Sequence, residues 1–180
     1  MFVHKINEQL SLKLIDTPDA EAVFGLTERS REDLRTWLPW LDGTTKVEDT
    51  EGFIQHCLQG FVERKSLTSV IIFKQEIVGV AGFNLIDWTN KIAYIGYWLG
   101  KEYQGKGIMT QVAEALTDYA FGELKMNKVE IRAAEGNRSS RAIPERLNFV
   151  QEGRIRQAEW LYNHYVDHVV YGVLKEEWKR

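Results

Sequence analysis

One segment constrains this chain more than any other: Gly100-Lys101-Glu102-Tyr103-Gln104-Gly105-Lys106-Gly107-Ile108-Met109-Thr110. Before it lies 92–99, apolar on both faces and therefore read as a central strand. After it comes 108–124, where Ile108, Val112, Ala115, Leu116 and Tyr119 share one helical stripe. A helix start leaves backbone N–H groups without intrahelical acceptors. Two glycines let a ligand come close to them, and the helix dipole favours negative charge. The segment therefore predicts an anion site, most naturally for phosphate or pyrophosphate.

The rest of the pattern fits one domain over 1–180. Residues 10–15 alternate as a first strand, and Asp16-Thr17-Pro18-Asp19 starts a helix carrying Ala22, Val23, Leu26 and Leu34. A second helix over 47–65 puts Phe53, Ile54, Cys57, Leu58, Phe61 and Val62 on one stripe. Residues 68–73 and 77–83 read as a hairpin continuing toward Trp88. Val129, Ile131 and Ala133 alternate as a strand, 137–147 forms a short helix bent by Pro144, and 150–161 with 165–174 makes a long final hairpin. The order β-α-α-β-β-β-α-β-α-β-β predicts an α/β domain with a mixed, mostly antiparallel twisted sheet.

Composition narrows the function classes. A chain of 180 residues, 44% hydrophobic and with only 3 Pro, can bury a core without staples. The single Cys57 excludes an intramolecular disulfide framework and a cysteine-rich zinc site, and no metal is expected. With 23 basic against 26 acidic side chains, a net charge of −3 carries no polyanion signature, so nucleic acid is not an expected partner. The apolar runs near 70–73 and 169–174 are strand-sized, and Met1-Phe2-Val3-His4-Lys5 lacks a signal-peptide pattern. A cytoplasmic protein without membrane contact is the simplest reading.

Three kinds of phosphate loop compete for 100–110. Gly100 to Lys106 fits the first seven positions of a Walker A loop, but Gly107 has no hydroxyl to hold magnesium. Gly105-x-Gly107 begins a dinucleotide fingerprint whose third glycine position is Thr110, and it falls late in the chain. Gln104-Gly105-Lys106-Gly107-Ile108-Met109 resembles the acyl-CoA loop of the GNAT acetyltransferases, with Met109 departing from the usual small residue. Four other stretches extend the resemblance: Trp37-Leu38-Pro39-Trp40, Ile95-Gly96-Tyr97-Trp98-Leu99, Asn137-Arg138-Ser139-Ser140-Arg141-Ala142 running to Phe149, and Glu152-Gly153 running to Gln157-Ala158-Glu159. Over nearly its whole length the chain is similar to the GNAT superfamily, and within it to the RimJ/RimL type of ribosomal-protein N-terminal acetyltransferase.

That resemblance implies a GNAT (acyl-CoA N-acyltransferase) fold, with helices on both faces of the sheet and acetyl-CoA as cosubstrate. The strand 92–99 would splay from its parallel neighbour, and backbone groups of Tyr97 and Leu99, with Trp98 between them, would line the pantetheine arm. One N–H, about Leu99, would hold the oxyanion. The N–H groups of Gln104, Gly105, Lys106, Gly107, Ile108 and Met109 would take the pyrophosphate. Asn137 and Ser140 match an Asn-x-x-Ser in which Asn contacts the cofactor and Ser lies near the sulfur. Asn137 read alone is equally a helix N-cap. With no tyrosine in the helix 137–147, Ser140 is the candidate acid for the leaving thiolate. Glu159 would bind the acceptor ammonium or accept its proton through water, and Tyr94 stands where RimL-like chains carry a glutamate. His4, His56, His164 and His168 match no motif and read as surface or packed residues.

A chain N-terminus reaches its neutral form at pH 7 for about 1.4 kcal/mol, against about 4.6 for lysine. A site with one carboxylate and no histidine base therefore suits an α-amine, and a protein N-terminus is the expected acceptor. Two alternatives stand beside it. One is a polyamine or small-amine acetyltransferase, served by Glu28, Glu32, Asp33, Asp42, Glu48 and Asp49. The other is a non-catalytic acetyl-CoA-binding module. Trp37, Trp40, Trp160 and Trp178 fall outside the core stripes, and together with the long C-terminal hairpin they predict a homo-oligomer.

Overall fold

The computed structural model describes residues 3–179; Met1, Phe2 and Arg180, including the first two residues of the leader reading, lie outside them. In chain order the elements are β1 (Val3–Lys5), β2 (Leu10–Leu14), α1 (Ala20–Arg29), α2 (Arg31–Arg35), α3 (Val47–Val62), β3 (Leu67–Phe73), β4 (Glu76–Asp87) and β5 (Ile92–Leu99). Then follow α4 (Ile108–Gly122), β6 (Lys128–Ala134), α5 (Arg138–Arg146), β7 (Val150–Leu161) and β8 (His164–Leu174). The strands form one sheet in the order β1-β2-β3-β4-β5-β6-β8-β7. Among the described residues the only parallel contact is β5 with β6, joined through α4, and the other pairings are antiparallel.

The two faces follow from the strand period. Val70 of β3 packs with Ile15, Val23, Ile54 and Cys57, so α1 and α3 cover that face. The adjacent Ile71 points the other way, into a larger cluster with Ile108, Val112 and Leu116 of α4 and Ile143 of α5. Helices therefore cover both faces, as expected.

Three local expectations change. The helix after Pro18 is two helices, broken at Ser30, whose hydroxyl accepts the Lys101 N–H at 3.0 Å and so ties the break to the glycine segment. Only part of the α3 stripe is core: Ile54 and Cys57 are buried, whereas Phe53, Phe61 and Val62 are exposed. Strand β1 has three exposed residues, too few for a periodicity to register.

The feature that makes a site lies in mid-sheet. β5 and β6 pair from Ile92 opposite Lys128 only as far as Ile95 opposite Ile131. Beyond that point each strand keeps only its outer partner. β5 stays with β4 as far as Leu99 opposite Gly79, and β6 stays with β8 as far as Ala134 opposite His168. The sheet therefore opens into a wedge at the C-terminal ends of its two parallel strands.

Candidate active site

Backbone alternation decides what faces the wedge. The Gly100 N–H donates to the Val78 carbonyl at 2.8 Å, so Gly100 and, two residues earlier, Trp98 spend their backbone groups on β4. Tyr97 and Leu99 turn theirs toward the open side, and the Leu99 carbonyl accepts the Gln104 side-chain amide at 3.2 Å. Trp98 offers its ring instead, packed against Trp40 at 5.9 Å between centroids.

At the wedge mouth Gly105 and Gly107 have φ of 72° and 73°, a left-handed backbone that glycine adopts without strain. Gly107 caps α4, and Gln111 is the first residue to donate back, to the Gly107 carbonyl at 3.3 Å. The N–H groups of Ile108, Met109 and Thr110 therefore have no intrahelical acceptor. The Ile108 and Met109 side chains are buried in the core, so the Met109 departure is absorbed by packing and leaves its N–H at the helix end. Gln104 anchors the turn by donating to Asp33 at 2.9 Å. Lys106 is exposed, its ammonium 5.5 Å over the Tyr103 ring.

Two cavities meet in the wedge. One of about 630 Å³ runs from Gly105, Gly107 and Met109 along Leu99 to Ser140. The other, of about 810 Å³, opens across the sheet and is lined by Trp40, Tyr94, Glu130, Arg132, Glu159 and His168. Both are lined by Trp37, Leu38, Tyr97, Trp98, Asn137 and Ser140, so Ser140 sits at their junction.

Helix α5 is fixed there by two contacts. Asn137 is its N-cap, accepting the Ser140 N–H at 3.2 Å, so the structural role proposed for it is present while its residue still lines both cavities. Pro144 lies inside the helix and has no N–H for the carbonyl four residues back, which belongs to Ser140. Tyr97 takes that place, its hydroxyl donating to the Ser140 carbonyl at 3.0 Å. Burial pushes the Tyr97 phenol far above its ordinary value, so it stays protonated and the bond persists at any working pH. This bond bridges β5 and α5 across the wedge.

The roof of the larger cavity is the loop carrying Trp37 and Trp40. It is held by Tyr162 at the tip of the β7–β8 hairpin, whose hydroxyl donates to Leu38 O at 2.5 Å and accepts from Leu41 N at 3.2 Å. The Arg35 guanidinium covers the same ring at 3.7 Å.

Inside that cavity the side chains differ from expectation. Glu159 is present and half-buried, and its Oε2 lies 3.1 Å from Nε2 of His168. His168 is thus a cavity residue paired with a carboxylate, which corrects the reading of a site without histidine. Opposite Tyr94, β6 places Glu130, a buried carboxylate bound to Arg132 at 2.7 Å and near Lys128 at 3.4 Å. The six acidic residues considered for a polycation are engaged elsewhere or lie away from this cavity. Glu28 pairs with Arg31, Asp42 with Arg35, Asp33 holds Gln104, and Asp49 caps α3.

Sequence reasoning also missed Arg146. It stands on the α5 stripe that runs from Ser140 through Ile143 and lines the narrower cavity, with Nη1 3.4 Å from Thr110 Oγ1. Helical spacing from Ser140 would have found it. A guanidinium beside the free N–H groups of α4 adds to the positive field that a pyrophosphate needs.

A splayed β5/β6 pair, free N–H groups behind two left-handed glycines, and a second cavity meeting the first at Ser140 define an enzyme that brings an acyl-CoA thioester to a nucleophile. Residues 9–150 match the Acetyltransferase (GNAT) domain, and the chain belongs to that family. It is 33% identical over 180 residues to the Putative ribosomal N-acetyltransferase YdaF of Bacillus subtilis, covering 99% of this chain and 98% of that one. It is 30% identical to the Ribosomal-protein-serine acetyltransferase of Escherichia coli, over 91% of each. Among solved structures it is similar to RimL, the ribosomal L7/L12 alpha-N-protein acetyltransferase, in complex with coenzyme A. That match has a TM-score of 0.93 and 29% identity, over 96% of this chain and 98% of that one. The protein is an acetyl-CoA-dependent N-acetyltransferase, and the non-catalytic alternative is set aside.

Proposed function

We propose that this enzyme acetylates the N-terminal α-amine of a ribosomal protein in the cytoplasm. The observation that carries the reading is the meeting of the two cavities at Ser140, with the His168-paired carboxylate of Glu159 facing the acceptor side. Relatives named for ribosomal proteins support the acceptor class. An extended peptide N-terminus suits a cavity of about 810 Å³ walled by Trp37, Trp40 and Phe53 better than a thin polyamine does.

The residues divide the work by position. The N–H groups from Gly105 to Met109, with Arg146 beside them, bind the pyrophosphate, and Tyr97 and Leu99 pair with the arm as a missing strand would. The Leu99 N–H is aimed at the thioester oxygen and stabilises it as negative charge develops. Glu159 holds the acceptor ammonium. The amine attacks the carbonyl carbon directly, the C–S bond breaks, and the Ser140 hydroxyl donates to the leaving thiolate.

The deciding assay compares peptides that begin with Ser or Ala against spermidine, with acetyl-CoA and a free-thiol readout. Peptide kcat/KM at least about tenfold higher is expected, a difference of about 1.4 kcal/mol in transition-state binding. Preference for spermidine would overturn the acceptor class.

The same reading includes self-association. β7 ends the sheet as a 12-residue edge with exposed Val150, Ile155 and Trp160, and Trp160 meets Tyr165 at 4.8 Å on the hairpin surface. A second copy of the chain is the proposed cover. Light scattering that returns the 20.9 kDa of one chain at every concentration would refute it.

A further inference from the structure

The hairpin β7–β8 is built to hold one pair of side chains together. Its two-residue turn sets Leu161 opposite His164, Trp160 opposite Tyr165 and Glu159 opposite Val166. Residues 166 and 168 share a face, so His168 is the next side chain along the face that Glu159 occupies. A regular ladder would then put Gln157 across from His168. Instead β7 bulges, and three residues, 156–158, stand against Asp167 alone before Ile155 regains register with His168. Gln157 adopts φ of 49°, and its N–H is held by Asp167 Oδ1 at 2.7 Å. Arg154 steadies the same aspartate, its Nε 3.5 Å from Oδ2. The bulge thus replaces Gln157 by Ile155 across from His168, and the polar contact to the imidazole comes from the Glu159 carboxylate, 3.1 Å away.

We propose that His168 takes the proton from the acceptor ammonium, with Glu159 as its fixed counter-ion. An ionised carboxylate can only accept, so in the neutral imidazole Nε2 carries the hydrogen that points at Glu159. The basic lone pair is then on Nδ1, on a side chain that lines the acceptor cavity. The ammonium gives one proton to Nδ1, and the imidazolium formed is stabilised by Glu159. The free amine attacks the thioester carbon, the C–N bond forms and the C–S bond breaks. The second nitrogen proton replaces the one that Ser140 gives to the thiolate. His168 returns its proton to water, so each turnover yields one amide, one thiol and one proton. The other charged or titratable groups lining this cavity are Glu130 and Arg132 of β6, bonded to each other at 2.7 Å, and Tyr94 and Tyr97 of β5, the latter donating to the Ser140 carbonyl. His168 and Glu159 are therefore left to each other as partners.

The inference rests on the larger cavity being the acceptor side and holds whichever amine enters it. The test measures kcat and kcat/KM from pH 5.5 to 9 for the full chain and for His168→Ala, His168→Gln and Glu159→Gln, on the best acceptor of the peptide and spermidine panel. The wild type is expected to show a rising limb, a rate that rises with pH as the base loses its proton. Both His168 variants should lose roughly 100-fold in kcat, with the limb displaced toward the pH at which the chosen acceptor amine itself deprotonates, while calorimetric acetyl-CoA affinity holds. His168→Gln keeps a donor for Glu159 but has no base. Activity within about fivefold of wild type in that variant, or an unmoved limb, overturns the proposal. A panel in which only spermidine reacts defeats the α-amine reading but still tests His168. If no amine in the panel reacts, nitrogen-15 shifts of the imidazole decide: hydrogen on Nε2 supports the proposal, and hydrogen on Nδ1 defeats it.

Discussion

Replacing Gly107 with glutamate tests the anion site and the fold separately. Gly107 sits at φ 73° and ψ 5°, and a Cβ built there meets nothing within 4 Å. Any L-residue then costs about 1–2 kcal/mol of backbone strain and no packing clash. A carboxylate at a helix N-terminus returns about 0.3–1 kcal/mol, so Gly107→Glu should fold at least as stably as Gly107→Ala. Cofactor binding should separate the two sharply. The new carboxylate would stand among the N–H groups of Ile108, Met109 and Thr110, where the pyrophosphate must go. One charge pair about 5 Å apart at an effective dielectric of 20 repels by roughly 3 kcal/mol, and a pyrophosphate carries more than one charge. Acetyl-CoA affinity should therefore fall by more than about 100-fold in Gly107→Glu and by less than about tenfold in Gly107→Ala. Calorimetry on both variants, with thermal melts to show that they are folded, measures this directly. If Gly107→Glu binds within about threefold of wild type, the loop does not hold the pyrophosphate.

Three further outcomes follow from named contacts. Ser140→Ala should lower kcat by at least about tenfold with acetyl-CoA affinity unchanged, because Asn137 caps the helix through the Ser140 N–H rather than its hydroxyl; an equal loss in both would make Ser140 a binding residue only. Gly82→Ala would drive a Cβ into the Leu67 carbonyl of the neighbouring strand. The expected loss is about 2–3 kcal/mol, and an unchanged melting temperature would refute the stated packing. Asp49 accepts the backbone N–H groups of Thr45 at 2.9 Å and Lys46 at 3.1 Å, and these bonds hold its carboxyl below the usual carboxylate value. A lowered folded pKa gives stability that is present above the unfolded value of about 3.9 and lost as pH falls through the folded one. Asp49→Ala should thus lower the melting temperature at pH 7 and converge with wild type in stronger acid; a constant difference would count against the cap.

What the sequence made legible was whatever short-range pattern governs. Glycine spacing, the stripe on 108–124 and the alternation around Val129 located the loop, the crossover and the parallel strand, because each is set within a few residues. The helix break at Ser30 was hidden, since its cause is a hydroxyl accepting from Lys101, 71 positions away. Phe53 read as core because it has the right spacing, but α3 turns it toward a cavity rather than a packed neighbour. His168 was discarded for matching no motif, although a two-residue turn at 162–163 already sets Glu159 opposite Val166, with His168 next on the same face. Counting strand register outward from that turn would have recovered it. The bulge that keeps Gln157 out of the way depends on Asp167 and carries no local signature.

The bridge from Tyr97 to the Ser140 carbonyl depends on a hydrogen that the chain does not have. A residue other than proline at 144 would bring its own N–H to that carbonyl and make the tyrosine hydroxyl one of two donors to it. Positions 97 and 144 lie 47 apart in sequence, in different elements, yet they bear on the satisfaction of one carbonyl. Their tolerance to change is therefore joint. Phenylalanine at 97 costs a bond while Pro144 remains, and should cost much less once 144 can close the helix itself. Lineages of this enzyme can drift at either position most easily by passing through the double change, so the two should vary together even though neither side chain touches the chemistry.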